Sequence, residues 1–305
     1  MKVIFMGTPE FSVPILKSLI SAHEVLGVVT QPDKQQGRGK KFVPPPVKVA
    51  AIENNIPVFQ PEKIRNTDFL DDVEADVFVV AAYGQILSEK ILNIPKLGCI
   101  NVHASILPKY RGAAPIQWAI INGEKQTGVT IMHMDKGVDT GDMILKKYTG
   151  IAPGETAGSL STKLSLMGAQ AIIEALGQIE NGAAAREKQD GNLSSYAKII
   201  TKEMALIDFK KPGKEVVNLV NGLIPWPVAY TFHNGAVLKI WGAELIEGYG
   251  DGVPGEVLDI VKNKGFVVKA GVAAVLITEV QALSSKRMGA PDYLRGHMIG
   301  VGTVL

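Results

Sequence analysis

The sequence predicts an α/β protein: a Rossmann-like, doubly wound, mainly parallel sheet over residues 1–188, a linker at 189–207, and a small OB-like β-barrel over 208–305. Three observations point there. Apolar strand-like runs alternate with amphipathic helical stretches through the first half, the pattern of βαβ units. The segment 181–214 is richer in charge and small polar residues, as an interdomain connection would be. Beyond it the pattern changes to short β-rich runs separated by turn signals.

Taken in order, residues 2–6 read as a buried strand, Gly7-Thr8-Pro9 as a tight turn, and 11–20 as a helix with apolar residues at Val13, Leu16, Leu19 and Ile20. Further strands are expected at 25–30, 76–81 and 98–102, with a helix at 47–54. Residues 128–134 and 143–148 look like two strands flanking a loop, and 155–179 contains a long amphipathic helix. After a short helical piece at 215–223, strands are expected at 229–233, 237–241, 255–261, 266–270 and 275–280. Five short strands in that space suggest a small barrel. The turn after the first strand lacks G-x-G-x-x-G spacing, so a bound dinucleotide is not expected.

The 305 residues are 46% hydrophobic and 20% charged, ordinary values for a globular chain of two domains. One cysteine, Cys99, excludes an internal disulfide and a multi-cysteine zinc site and fits a reducing, cytoplasmic setting. No secretory signal is evident, and no uncharged apolar run reaches the roughly 18 residues of a membrane helix. The protein is therefore expected to be soluble, with no membrane partner, and monomeric. Net charge is only +2, but Lys34, Arg38, Lys40, Lys41 and Lys48 crowd one segment against the single acid Asp33. Such a run is ordinarily a solvated face; its alternative is phosphate contact.

In an open α/β sheet, ligands sit beyond the carboxyl ends of the strands. Gly7, Tyr83-Gly84 and Asn101-Val102-His103 would all lie there. Asn101 and His103 are two apart in a strand and so share a face. An amide and an imidazole converging on one point suit acyl transfer between amines, which needs donors for an oxyanion and a proton carrier for the leaving nitrogen. Asp139, in the loop Met134-Asp135-Lys136-Gly137-Val138-Asp139-Thr140-Gly141, would hold the ring and fix its tautomer. Singly, each residue has a duller role: a strand end, a satisfied loop histidine, a turn cap. Together with Ser105-Ile106-Leu107-Pro108 and Lys109-Tyr110-Arg111-Gly112 they are far more specific. Cys99 is expected to face the other way, as a small core residue. His23, His133 and His233 lack clustered ligands, so no metal is expected.

These residues resemble the site of enzymes that transfer formyl groups from 10-formyltetrahydrofolate. The likeness extends through Phe5-Met6-Gly7-Thr8-Pro9-Glu10-Phe11, Pro32-Asp33, Gly37-Arg38-Gly39-Lys40-Lys41 and Pro225-Trp226-Pro227. It implies that Asn101, His103 and Asp139 are catalytic. It further implies a folate pocket around Gln85, Ile86, Leu87, Ser105, Ile106, Leu107, Pro108 and Asp135. The acceptor it implies is initiator methionyl-tRNA, contacted by Arg38, Lys40, Lys41 and Lys202, with the barrel domain helping to hold it. Gly37 and Gly39 would leave the basic loop mobile until tRNA orders it. Two rivals stand beside this expectation: a sibling formylating an amino sugar nucleotide or glycinamide ribonucleotide, and a non-catalytic RNA-binding module.

Overall fold

The computed structural model describes residues 1–36 and 41–305, with the side chains of Gln36 and Lys41 excepted. Contacts divide the chain into two compact units. The first comprises Met1–Pro115, Gln126–Gly150 and Ser161–Ala197; the second comprises Ile116–Lys125, Ile151–Leu160 and Lys198–Leu305.

The first unit is built on seven strands: β1 (Lys2–Gly7), β2 (Glu24–Val29), β3 (Val58–Phe59), β4 (Val77–Ala81), β5 (Cys99–His103), β6 (Gln126–His133) and β7 (Met143–Gly150), in the spatial order β7-β6-β5-β4-β1-β2-β3. β1 to β5 are mutually parallel, β6 runs antiparallel to β5, and β7, antiparallel to β6, returns to the direction of the first five. β4 and β5 are buried at every residue; β4 accordingly reads as a continuous apolar run, while β5 carries the buried polar Asn101 and His103. Phe78, wholly buried, contributes about 1.5–3 kcal/mol through its apolar area. The strand order reverses at β1, with β2 on one side and β4 on the other. Across that crevice Thr8 Oγ1 donates to the Tyr83 carbonyl at 2.9 Å and Ser12 Oγ to the Ala81 carbonyl at 2.6 Å. Gln31 Nε2 also donates to the Tyr83 carbonyl, at 3.2 Å. The carboxyl ends of β1, β2 and β4 are thereby tied into one edge.

Two short antiparallel strands, Lys34–Gln36 and Lys41–Val43, pair around the basic stretch. Lys48, counted above among its cations, is committed: its Nζ lies 2.8 Å from Asp33, whose Oδ1 also accepts from Gln60 Nε2 at 2.8 Å.

The second unit carries an antiparallel sheet of β8 (Tyr230–His233), β9 (Ala236–Ile246), β10 (Val257–Val261), β11 (Gly265–Lys269), β12 (Ala274–Ala282) and β13 (Met288–Gly289), ordered β8-β9-β12-β11-β10 with β13 against β12. The helix Gly213–Gly222 buries Val216 and Val220 within this unit. So does part of the chain lying far earlier in sequence: Gly222 packs on Ile121 of the helix Pro115–Ile121, and Gly158 N–H donates to the Ile224 carbonyl at 3.0 Å. No helix of the described residues is long and apolar enough to cross a membrane.

Candidate active site

Side chains of β5 alternate between two faces. Val102 lies under Gly168 of the helix Ala157–Glu180, close enough that a Cβ there would come within 2.9 Å of Val102 Cγ1. Asn101 and His103 therefore point to the opposite face, as their spacing requires. Both are nearly buried, and Asp139 meets both. Asn101 Nδ2 donates to Asp139 Oδ1 at 3.3 Å, and His103 Nδ1 stands 3.6 Å from Asp139 Oδ2. A carboxylate only accepts, so it is the amide nitrogen that Asn101 turns toward it.

The other ring nitrogen is fixed too. His103 Nε2 lies 2.9 Å from the Tyr110 carbonyl, which can only accept, so Nε2 carries a hydrogen. In the neutral ring Nδ1 then bears the lone pair, facing the Asp139 side. Asp139 Oδ2 also accepts the Gly112 N–H at 2.7 Å. Gly112 sits at φ 106° with the Ala197 carbonyl against it, a conformation and a closeness that a side chain would disturb.

Asp139 itself holds φ 53°, in the left-handed region that L-residues occupy at a cost. Its loop is braced on all sides. Asp135 Oδ1 accepts from Gly137 N–H at 3.0 Å and Thr140 Oγ1 at 2.6 Å, and a Cβ on Gly141 would overlap the His133 carbonyl. Gln189 Nε2 donates to the carbonyls of both Asp139 and Gly141 at 2.8 Å, while its Oε1 accepts from Arg111 Nε and Nη2 at 3.0 and 2.8 Å. Ser195 closes the other side, its Oγ accepting from Tyr110 N–H at 2.9 Å. Gln189 and Ser195 fall in the stretch expected to be linker and carried no local signal. The partners of their side chains lie 48 to 85 residues away in sequence.

The residues expected to line a folate pocket take different places. Ser105 is fully buried, with Oγ donating to the Lys109 carbonyl, and Leu107 packs with Met132 and Met143, so these two shape the loop. Ile106 and Pro108 are half-buried. Gln85 spends its amide on the 61–64 segment, accepting from Ile64 N–H at 2.8 Å and donating to the Pro61 and Glu62 carbonyls. Leu87 is core, whereas Ile86 is 78% exposed beside it. Asp135 is exposed and tied to its own loop. Arg38 and Lys40 lie outside the described residues, as do Gly37, Gly39 and the Lys41 side chain; Lys202 is exposed on the second unit.

Cys99 corrects one expectation. It stands two residues before Asn101 and so shares its face, but deeper, in the cluster of Phe78, Val80 and Ile91. It is nonetheless inert core: burial pushes its thiol up to about 12. Among the described residues no group of three or more His, Cys, Asp or Glu is placed to hold a metal ion.

Two family models match the chain: a formyl transferase domain over residues 1–176 and a formyl transferase C-terminal domain over 199–298. The methionyl-tRNA formyltransferase of Caldanaerobacter subterraneus subsp. tengcongensis is 51% identical over 311 residues, covering all of both chains. That of Alkaliphilus oremlandii is 50% identical over 309 residues, covering all of this chain and 99% of its own. Among solved structures, the sugar 3N-formyl transferase WlaRD, determined with dTDP and 5-N-formyl-THF, superposes with a TM-score of 0.68 at 22% identity over 94% of this chain and 99% of its own. HypX from Aquifex aeolicus in complex with tetrahydrofolic acid gives 0.65 at 17% identity over all of this chain and 51% of its own.

Proposed function

The chain belongs to the formyl transferase family, and we propose that it transfers the formyl group of 10-formyltetrahydrofolate to the free α-amine of initiator methionyl-tRNA. The products are N-formylmethionyl-tRNA, for translation initiation in the cytoplasm, and tetrahydrofolate. Identity along the whole chain carries the choice of acceptor: 51% to a methionyl-tRNA formyltransferase against 22% to a sugar N-formyltransferase.

The geometry supports assigning the chemistry to Asn101, His103 and Asp139. The neutral amine attacks the formyl carbon, a C–N bond forms, and the bond from that carbon to folate N10 breaks. Asn101 Nδ2 has a second hydrogen beyond the one given to Asp139, and offers it to the oxyanion. With Nε2 committed to Tyr110, Nδ1 is the nitrogen of His103 that takes the amine proton and passes it toward N10. Asp139, 3.6 Å from it, offsets the positive ring that forms between the two transfers. No covalent enzyme intermediate is required. Ile86, Ile106 and Pro108 offer the exposed or half-buried apolar surface that a folate ring needs, on loops braced by Gln85, Ser105 and Leu107. Arg38, Lys40, Lys41 and Lys202 neutralise tRNA phosphates, giving salt-sensitive binding with little base readout.

The test is incubation with 10-formyltetrahydrofolate and charged initiator tRNA, beside uncharged tRNA and an amino sugar nucleotide. Formylation of the charged tRNA alone is expected. Transfer to the sugar but not the tRNA points to a sibling enzyme, and no transfer to any acceptor points to a binding module.

A further inference from the structure

We infer that Gln189 is a positioning residue for formyl transfer: its carboxamide ties the Asp139 turn to the Arg111 guanidinium and thereby sets where the Asp139 carboxylate stands beside His103 and Asn101. The inference rests on the proposed role of Asp139 and adds the group that places it.

A carboxamide is the one planar side-chain group with donors at one end and acceptor lone pairs at the other, and Gln189 uses both ends. Its oxygen takes two hydrogens from the buried Arg111; its nitrogen gives two to the carbonyls of Asp139 and Gly141. One of those carbonyls belongs to the residue held at φ 53°. A non-glycine residue keeps that conformation only when its surroundings over-determine it. Rotation of the Asp139 backbone toward an ordinary φ would swing the carboxylate off Gly112 N–H and away from Nδ1. The same strap acts on the other side of the ring. Ser195 accepts from Tyr110 N–H through Oγ and from Arg111 N–H through its carbonyl, fixing the residue whose carbonyl holds His103 Nε2. Segment 187–197 therefore grips both neighbours of the His103 ring, and Gln189 is its contact to the acid.

Two variants separate positioning from mere packing. Gln189→Met keeps the length and loses all four hydrogen bonds. Gln189→Glu keeps an acceptor for Arg111 but sets carboxylate oxygens against the Asp139 and Gly141 carbonyls. In both, the single-turnover transfer rate should fall roughly 10- to 100-fold, as for an ångström-scale misplacement, while KM for each substrate stays within about twofold. The ¹⁵N signals of the His103 ring should move in the same direction as in Asp139→Asn. The Asp139→Asn enzyme is the reference: at wild-type rate it would refute the proposed site rather than this inference. With Asp139→Asn impaired, wild-type transfer by folded Gln189 variants overturns the positioning role, and so does a lowered rate with unmoved His103 signals. Should Gln189→Met not fold, Gln189→Glu, which retains the Arg111 contact, carries the test.

Discussion

His103 has two acceptors in reach, the neutral Tyr110 carbonyl at 2.9 Å and the Asp139 carboxylate at 3.6 Å. The neutral ring satisfies the first with Nε2–H; only the protonated ring offers a hydrogen to both. On the proposed mechanism, Asp139 therefore matters most when Nδ1 holds the transferred proton. Asp139→Asn preserves size and removes that charge, and turnover should drop by about two to three orders of magnitude, the usual cost of losing one such electrostatic contribution. Wild-type single-turnover kinetics in that variant would remove Asp139 from the mechanism. Tyr83 presents the opposite case. Its hydroxyl is buried with no hydrogen-bond partner among the described residues, and burial pushes the phenol up to about 12. What Tyr83 gives the site is its backbone carbonyl, which accepts from Thr8 and Gln31 and survives substitution. Tyr83→Phe should leave formylation intact and be neutral or stabilising by about 1 kcal/mol, because it deletes an unpaired polar atom. A lowered midpoint in thermal unfolding would show that the hydroxyl is satisfied after all.

Periodicity made most elements legible, and local contacts made the site only half so. The strands expected at 2–6, 25–30, 76–81, 98–102, 128–134 and 143–148 fall on β1, β2 and β4 to β7 within two residues, because buried strands announce themselves as apolar runs. β3 has two residues and the helix Pro115–Ile121 seven, too few to carry a period. Asn101 and His103 were readable as a pair because strand geometry alone sets their common face. Gln189 was not, because its role depends on distant partners in a polar stretch. At this scale two outcomes follow. Gly141→Ala places a methyl on the His133 carbonyl where β6 turns into β7, so it should destabilise by about 1–3 kcal/mol and lower transfer through the displaced Asp139; unchanged denaturant midpoint and rate would contradict the tight turn. The helix Pro46–Glu53 is tethered through Lys48 to Asp33. Hydrogen bonds from Gln60 first and Lys48 second hold the Asp33 carboxyl below its ordinary value. A depressed folded pKa contributes stability above the unfolded value of about 4, and that contribution is lost as pH falls through the folded value. The acid limb of thermal stability should therefore be steeper in the wild type than in Asp33→Asn; identical limbs would mean the pair is fully screened.

The two units of the molecule are not two halves of the sequence, and that difference has a measurable consequence. A chain cut after residue 197 retains every strand of the parallel sheet together with Asn101, His103, Asp139, Gln189 and Ser195. It also retains Ile116–Lys125 and Ile151–Leu160, which pack with residues beyond the cut. Ala119, Ile120 and Leu160 are buried in the full chain, and Gly222, which lies against Ile121, would be gone. Each apolar side chain of these segments that the cut uncovers costs about 1.5–3 kcal/mol, a large share of the roughly 5–15 kcal/mol typical of a folded domain. The fragment should melt well below the full chain and bind a hydrophobic dye in its native baseline. Its loss should begin in the helix Pro115–Ile121, which follows directly on the Tyr110–Gly112 segment that holds His103 and Asp139. Hydrogen exchange resolves that order: amides of the helix should lose protection before those of β4 and β5. A fragment that melts within a few degrees of the full chain, with the helix still protected, would show that the parallel sheet folds without the segments assigned to the other unit.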